Sequence, residues 1–327
     1  MSRADIAREL LNRLLSKDWS MSDEEELGWG YAMGLLAAAT YADDPVAAAL
    51  AAIRQAVRGE WRVRIAATHD DHEVHVTNTL ICESDDLTLV AYRGTTTFGA
   101  DLSEDRMAAT ILGWLDNITS ALGRTDYQAA YHWRALATLD DVRRAVAAAR
   151  ERKARVFMSG HSAGGAIALM AARDLTQEFH RVHRVFTYGS PMPGTADFEF
   201  SVANVPVTRF EHGDDPVPWF PGQYSHVRAP GVAMVGELAG GLFRGTPLPL
   251  SWRPVGRLRY LHPPGSAIEP SDRRTPDGHG LTTGESKHLI ERRLKTRGRL
   301  RDSVKDHHIA AYLAALRALT AQGPRQP

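Results

Sequence analysis

A short glycine-rich segment at residues 159–165 limits most narrowly how this chain can fold. It reads Ser-Gly-His-Ser-Ala-Gly-Gly, which is the pattern Gly-x-Ser-x-Gly centred on Ser162. Residues 155–158 before it have strand character, and residues 166–172 after it have helix character. A serine on such a tight strand-to-helix turn adopts a strained backbone conformation that holds its hydroxyl above the sheet edge. The segment therefore predicts a nucleophile at Ser162, whereas the pattern alone also fits a glycine-rich turn that happens to hold a serine.

The composition is that of an ordinary globular protein without a global charge bias. Of 327 residues, 43% are hydrophobic and 24% are charged, and the formal net charge is zero. Nothing global therefore argues for a nucleic-acid partner. The single cysteine, Cys82, excludes an intrachain disulfide and is expected to be inert packing. The first residues lack the apolar run of a secretory signal, so we expect a cytoplasmic protein, with export by another route left open.

Strands alternate with helices along the chain, which predicts an α/β fold with a mostly parallel sheet covered by helices on both faces. We expect a single domain. Its parts are N-terminal helices in 1–58, a core in 59–220, an irregular insertion in 221–304 with a strand-like piece at 257–261, and a C-terminal helix in 305–321. The predicted helices are 4–15, 22–40, one that starts at 45, and 127–152; the predicted strands are 61–65, 74–81, 87–92, 155–158, 184–188 and 206–211.

A nucleophilic serine needs a base within hydrogen-bond reach and an acid that orients the base. In α/β-hydrolase architectures these residues follow the serine in the order acid, then histidine. The acid candidates, Asp214 and Asp215, follow a predicted strand. The downstream base candidates are His262, His279, His288, His307 and His308. His307 and His308 are the best placed because they start the last predicted helix.

Backbone N–H groups are needed to stabilise the oxyanion that forms when the serine attacks. The N–H of Ala163 directly follows the nucleophile, and the loop after an early strand supplies a second donor in such folds. Residues 93–95, Arg-Gly-Thr, form that loop here, and Thr95 offers both its N–H and its hydroxyl.

These segments together resemble the lipase class 3 family, the fungal-type triacylglycerol lipases and their bacterial relatives. The matching motifs, in the family's order, are Tyr-Arg-Gly-Thr at 92–95, Gly-His-Ser-Ala-Gly-Gly at 160–165, Tyr-Gly-Ser-Pro at 188–191, Asp-Pro-Val-Pro at 215–218 and Asp-His-His-Ile-Ala-Ala-Tyr at 306–312. The resemblance covers roughly residues 87–316 and adds an early helix end at 39–43. Ala163 stands where most members have leucine, and the segment between the acid and the histidine is unusually long.

The resemblance implies an α/β-hydrolase fold and hydrolysis of carboxylic esters of lipids through an acyl-enzyme, without a metal or organic cofactor. It implies Ser162 as nucleophile, Asp215 as acid, His307 as base, and Thr95 with Ala163 as the oxyanion hole. In related lipases a lid follows the oxyanion loop. Residues 98–123 stand there, with Met107, Ile111, Trp114 and Leu115 as candidate lid residues, although a packed helix without a gating role fits equally well.

Two charged segments carry further hypotheses. The basic segment 287–305 favours transient contact with an anionic membrane surface or an acidic partner, although such runs are commonly solvated helix faces. His69, Asp70, Asp71, His72 and His75 have metal-ligand chemistry, but a polar hairpin tip explains them better. The alternative functions are a phospholipase for anionic lipids, including an exported effector, and a non-catalytic binding protein with the hydrolase fold.

Overall fold

The computed structural model describes residues 21–57, 59–68, 77–94, 127, 129–178, 180–215, 217–219, 253–261 and 305–321. The helices are α1 (Asp23–Ala39), α2 (Pro45–Ala56), α3 (Ala129–Arg152), α4 (Ala163–Gln177), α5 (Ala196–Ser201) and α6 (Ile309–Ala321). The strands are β1 (Arg62–Thr68), β2 (Thr77–Glu83), β3 (Leu87–Tyr92), β4 (Arg155–His161), β5 (Arg184–Tyr188), β6 (Val207–His212) and β7 (Arg257–Leu261). Short 3-10 turns occupy Val217–Trp219 and Lys305–His307.

Polar residues set the starts of α1 and α2, as their sequences predict. The Ser22 hydroxyl accepts from the N–H of Glu25 at 3.2 Å, and the Glu25 carboxylate accepts from the N–H of Ser22 at 3.0 Å. This reciprocal capping box satisfies N–H groups that a helix start leaves without partners. At α2, the Asp44 carboxylate accepts from the N–H of Ala47 at 3.0 Å, and Pro45 occupies the first turn.

The strands form one sheet whose spatial order is the chain order, β1 to β7. β1, β2 and β3 are antiparallel neighbours, and β3 to β7 run parallel to one another. Because parallel strands are joined by right-handed crossovers, this order puts the connecting helices on one face. The chain termini must then cover the other face, which gives the predicted mostly parallel sheet between helical layers.

Alternate side chains of the strands supply a separate hydrophobic core on each face of the sheet. Val90, Met158 and Val185 pack with α3 and α4, whereas Leu89, Phe157 and Phe210 pack with α1, α2 and α6. Every residue of β3 and β5 is buried, as expected for strands covered on both faces. The parallel strands also bring the loops after β3, β4 and β6 to one sheet edge, where open α/β sheets bind ligands.

The strand-like piece at 257–261 is part of the sheet, whereas the sequence reading left it inside an irregular insertion. As β7 it pairs with β6 over Thr208 to His212. The parallel pairing requires a long excursion of the chain before β7, and that excursion separates the strand from the regular alternation that precedes it. Its five residues are too few to reveal a sheet position from periodicity alone.

A buried charge cluster fastens β7 and β5 to the first turn of α1. The Glu26 carboxylate accepts from Arg184 Nη1, Thr208 Oγ1 and Arg259 Nε, each at 2.6 Å. Its side chain is 2% exposed, and burial lowers the pKa of Arg184. Arg259 also bonds Asp23 at the surface end of the cluster. The cluster therefore couples the N-terminal helix to an edge strand more than two hundred residues later in the chain.

Several predicted segments lie outside the described residues. They are the helix at 4–15, the hairpin tip with His69 to His75, and the basic segment 287–305 apart from Lys305. Among the helices that the structure describes, none combines the length and apolar character needed to cross a membrane.

Replacing Glu26 by alanine should lower the free energy of unfolding by about 3–5 kcal/mol, because the change leaves the guanidinium groups of Arg184 and Arg259 buried without their shared carboxylate. Glu24→Ala, in the same helical turn but exposed, should change it by less than about 0.5 kcal/mol. Urea unfolding followed by circular dichroism measures both. Equal unfolding midpoints for the two variants would show that the cluster does not stabilise the fold.

Candidate active site

Ser162 occupies a sharp turn between β4 and α4. Its backbone has φ 57° and ψ −134°, a left-handed conformation that non-glycine residues rarely adopt. Its N–H donates to the carbonyl oxygen of Tyr188 at 2.9 Å, and its carbonyl oxygen accepts from the N–H of Gly165 at 2.9 Å. The side chain therefore stands at the N-terminal end of α4, where the helix dipole favours negative charge. This is the strained strand-to-helix serine that the Gly-x-Ser-x-Gly pattern predicts.

Glycines beside Ser162 allow β3, β4 and α4 to approach one another closely. A Cβ atom on Gly160 would lie 2.1 Å from the carbonyl carbon of Gly164. One on Gly164 would lie 2.2 Å from the carbonyl oxygen of Tyr92. Both collisions are with backbone, which a change of rotamer cannot relieve. The small residues of the motif are thus required by packing.

Side chains from distant parts of the chain meet at Ser162. His307 Nε2 lies 3.0 Å from the Ser162 hydroxyl oxygen, and His307 Nδ1 lies 2.8 Å from Asp215 Oδ2. Asp215 follows β6, and His307 ends the 3-10 turn that precedes α6. The exposed fractions of Ser162, Asp215 and His307 are 3%, 0% and 1%. The structure thus brings the predicted nucleophile, base and acid into one buried hydrogen-bonded line.

Hydrogen bonds hold Asp215 as a carboxylate. The Tyr312 hydroxyl donates to Oδ2 at 2.5 Å, and the N–H of Val217 donates to Oδ1 at 2.9 Å. Burial alone would raise the pKa of Asp215, but the charge and hydrogen bond of His307, together with the bonds from Tyr312 and Val217, hold this pKa below its ordinary value. An ionised Asp215 accepts a hydrogen bond from the N–H at His307 Nδ1, so the neutral ring carries no proton on Nε2, which faces Ser162.

Gly189 explains why Tyr-Gly-Ser-Pro at 188–191 belongs to the site. Its φ is +56°, and a Cβ atom there would lie 2.6 Å from Asp215 Oδ2 and 2.9 Å from His307 Nδ1. Any side chain would therefore separate the acid from the base. Neither Gly189 nor Tyr312 has a role that the sequence predicts, but both lie in motifs that carry the family resemblance, and this was the available signal.

The structure distinguishes the neighbouring candidates that the sequence left close together. Among the described hydrogen bonds, none joins His308 to Ser162, and His308 Nδ1 accepts from the N–H of Ala310 at 3.1 Å, as a capping residue would. The backbone N–H of Asp214 donates to Asp306 Oδ2 at 2.9 Å, and no hydrogen bond joins its carboxylate to His307 in the described residues. Only His307 and Asp215 are therefore in line with Ser162.

The predicted oxyanion residues are described only in part. Ala163 is the first residue of α4 and is fully buried, so its N–H belongs to the helix end directly after Ser162. Thr95 lies outside the described residues, whereas Gly94 just before it is described. The candidate lid residues Met107, Ile111, Trp114 and Leu115 also lie outside them.

Metal ligation and thiol reactivity each place requirements on the side chains in the part of the chain that the structure describes. Within those ranges, no group of three or more His, Cys, Asp and Glu side chains is arranged to hold a metal ion. Cys82 is buried in β2, and burial raises the pKa of its thiol to about 12. Such a thiol is not a nucleophile at neutral pH.

Comparison with known protein families gives one match. Residues 89–225 match the family Lipase (class 3). Over 84 residues the chain is 38% identical to the protein named "Lipase" from Rhizopus niveus, a stretch that is 24% of this chain and 21% of that protein. The match thus spans about a fifth of the length of this curated relative.

Solved structures of fungal lipases share the architecture. The mono- and diacylglycerol lipase of Aspergillus oryzae is 17% identical with a TM-score of 0.55, covering 91% of this chain and 99% of its own. The lipase of Rhizopus microsporus var. chinensis is 20% identical with a TM-score of 0.52, covering 82% of both chains. At these identities the likeness concerns the fold alone, and it confirms the predicted α/β-hydrolase architecture.

One titratable group beside Ser162 predicts an acid-dependent loss of stability. His161 is 4% exposed, and burial together with the nearby charge of His307 lowers its pKa from 6.5 to about 3. Between these values the unfolded chain binds a proton that the folded chain excludes, so the free energy of unfolding falls as pH decreases. The slope from this group is at most about 1.4 kcal/mol per pH unit.

His161→Gln should therefore lose stability less steeply than the wild type between pH 6.5 and about pH 4. Urea unfolding at half-unit pH steps measures the slope. His308→Gln is the matched control: its half-buried ring also has a lowered pKa, and its removal should change the slope less. Parallel curves for the wild type and His161→Gln would contradict the neutral, buried state of His161.

Proposed function

We propose that this chain, a member of the lipase class 3 family over residues 89–225, hydrolyses carboxylic esters of lipids through an acyl-enzyme on Ser162. One observation carries the proposal. A serine with φ 57° between a strand and a helix lies 3.0 Å from the Nε2 of a histidine whose Nδ1 contacts a buried carboxylate at 2.8 Å. This is the arrangement that activates a hydroxyl for acyl transfer.

In the first half of the reaction, the Ser162 oxygen attacks the ester carbonyl carbon while its proton passes to His307 Nε2. The carbonyl oxygen becomes an oxyanion, and the carbon becomes tetrahedral. When the bond to the alcohol oxygen breaks, His307 returns the proton to that oxygen. The alcohol leaves, and the acyl group stays on Ser162.

In the second half, a water molecule attacks the acyl carbon and gives its proton to His307 Nε2. The bond to the Ser162 oxygen then breaks, that oxygen takes the proton, and the carboxylic acid leaves. Asp215 holds the imidazole in one tautomer and stabilises its positive charge in both halves. Tyr312 and Val217 keep that carboxylate oriented and ionised.

The oxyanion would be met by the backbone N–H of Ala163 and by Thr95. Ala163 belongs to the start of α4, where N–H groups and the helix dipole favour a developing negative charge. Gly94, which directly precedes Thr95 in the sequence, follows β3 at the same sheet edge as Ser162. Loss of one such side-chain donor typically costs about 2.7–4 kcal/mol of transition-state stabilisation.

The lipid part of the proposal is supported by the family match and by the named lipase that shares 38% identity over 84 residues. In the sequence, Met107, Ile111, Trp114 and Leu115 give the segment after the oxyanion loop the apolar character of a surface that meets acyl chains. The basic segment 287–305 favours an anionic headgroup as a second candidate substrate feature, because it runs directly into His307.

Ser162→Ala should lower the rate of p-nitrophenyl butyrate hydrolysis by about 10⁴-fold or more, since the nucleophile is lost while binding is retained. Ser201→Ala, at the end of α5, is the control and should keep the wild-type rate. Product release is followed by absorbance. Equal rates above background for the wild type and Ser162→Ala would reject the proposed nucleophile. Background rates for both would favour a non-catalytic hydrolase-fold protein.

The same two variants, assayed on emulsified diacylglycerol and on phosphatidylglycerol vesicles by titration of released fatty acid, identify the lipid class. We expect Ser162-dependent release from lipid esters. If phosphatidylglycerol is the better substrate and its rate falls as salt rises, the anionic-lipid candidate is favoured. Release of no fatty acid from either lipid by an enzyme active on short esters would contradict the lipid substrate.

A paired substitution tests the base. His307→Ala should lower kcat by about 10⁴-fold or more, whereas His308→Ala should retain kcat within a few-fold, because only His307 lies within hydrogen-bond reach of Ser162. Steady-state kinetics on the same short ester measures both variants. Similar losses in the two variants would contradict the assignment of the base.

A further inference from the structure

A second set of hydrogen bonds lies behind Ser162 and has no part in the proton transfers above. Tyr41, just after α1, places its hydroxyl oxygen 3.1 Å from His161 Nδ1. The same oxygen accepts from the backbone N–H of Gly94 at 3.1 Å. His161 Nε2 lies 2.7 Å from the backbone carbonyl oxygen of His307. The bonds thus run from the loop after β3, through Tyr41 and His161, to the backbone of the base.

The groups at the two ends of this series of hydrogen bonds determine which atom donates and which accepts in each bond. The carbonyl oxygen of His307 can only accept, so His161 Nε2 carries the proton. A neutral imidazole then has an acceptor at Nδ1, and the Tyr41 hydroxyl donates to it. That hydroxyl keeps a lone pair for the N–H of Gly94. Because burial lowers the pKa of His161 to about 3, the ring stays in this single neutral form at working pH.

Gly94 is fixed at both of its backbone groups. Its carbonyl oxygen accepts from Arg134 Nη2 at 3.2 Å, in addition to the bond that its N–H donates to Tyr41. A Cβ atom on Gly94 would lie 2.3 Å from the Tyr41 hydroxyl oxygen and 2.7 Å from the carbonyl oxygen of His161. The peptide unit is planar, so fixing the Gly94 carbonyl also fixes the plane that leads into the next residue.

We propose that Tyr41 and His161 are positioning residues that hold the loop after β3 at a constant distance from His307, so that the oxyanion side and the base side of the site are set by one chain of hydrogen bonds. The proposal rests on the ester hydrolysis proposed above. Neither side chain exchanges a proton with the substrate in the proposed mechanism. The ring of His161 also packs on that of His307, with centroids 4.8 Å apart and planes inclined by 32°.

This role predicts a particular kinetic signature. The geometry that these bonds preserve matters most when the oxyanion forms, and a small misplacement of reacting groups can cost about 100-fold in rate. Removing a bond should therefore lower kcat and leave KM nearly unchanged. A merely structural role would instead lower the fraction of folded enzyme and leave the kcat of each intact site unchanged.

The test uses Tyr41→Phe, which removes the hydroxyl, and His161→Gln, which keeps a donor near the Nε2 position but loses the Nδ1 acceptor. Diethyl p-nitrophenyl phosphate, reacted to completion, counts the active serines, and kcat is expressed per active serine. We expect a kcat about 10–100-fold below wild type for each variant, with KM within about twofold. The fold-loss of kcat in the double variant should be smaller than the product of the two single fold-losses, since both changes break the same series of hydrogen bonds.

Thr138→Val is the matched control for the loss of a buried hydroxyl. Thr138 bonds Thr79 at 2.9 Å between α3 and β2. Thr138→Val should lower the free energy of unfolding and keep the wild-type kcat per active serine. Wild-type kcat per active serine in Tyr41→Phe and His161→Gln would overturn the positioning role. An inactive wild type would instead overturn the proposed function.

A measurement on the protein without substrate tests the same hydrogen bonds. Nitrogen-15 NMR of the wild type should show His161 protonated at Nε2 and unprotonated at Nδ1 from pH 5 to pH 8, about two units or more above its pKa of about 3. Tyr41→Phe should shift the Nδ1 resonance. A protonated Nδ1, or a resonance that does not respond to Tyr41→Phe, would overturn the inference even if the enzyme is active.

Discussion

The backbone turn at Ser162 is the constraint from which the rest of the site follows. A serine held at φ 57° directly between a buried strand and a helix stores strain that only surrounding packing can maintain. The carbonyl oxygen of Tyr188 accepts a hydrogen bond from the Ser162 N–H at 2.9 Å. Gly160 has no side chain, which allows the backbone of α4 to pack directly against β4. The strain orients the hydroxyl toward the sheet edge, where the loops after the parallel strands converge.

The remaining groups reach this edge from widely separated parts of the chain. Asp215 comes from the loop after β6, and His307 precedes α6, which packs on α1 in the core opposite the crossover helices. Tyr41 comes from the end of α1 on that same face. The site therefore lies between the two hydrophobic cores. The distances between its residues depend on how α1 and α6 pack on the sheet. The Glu26 cluster fixes α1 to β5 and β7 and so contributes to that packing at a distance.

The sequence predicted the parts of this arrangement that short patterns carry. The turn at Ser162, the strand β3 and the start of α1 each follow from local rules of backbone and side-chain chemistry. The choice of Asp215 over Asp214 and of His307 over His308 followed from the family resemblance. β7 was underestimated because five residues after a long excursion carry too little periodicity. The roles of Gly189 and Tyr41 depend on contacts between segments that are distant in the sequence, which no local pattern reports.

A covalent probe reports directly whether the Ser162 hydroxyl is activated. A fluorophosphonate reacts only with an activated serine, so peptide mapping by mass spectrometry after labelling reports which residue has been activated. The account predicts one adduct, on the peptide that carries Ser162, in the wild type, and its loss in His307→Ala. An adduct on a different residue, or undiminished labelling of Ser162 without His307, would contradict it.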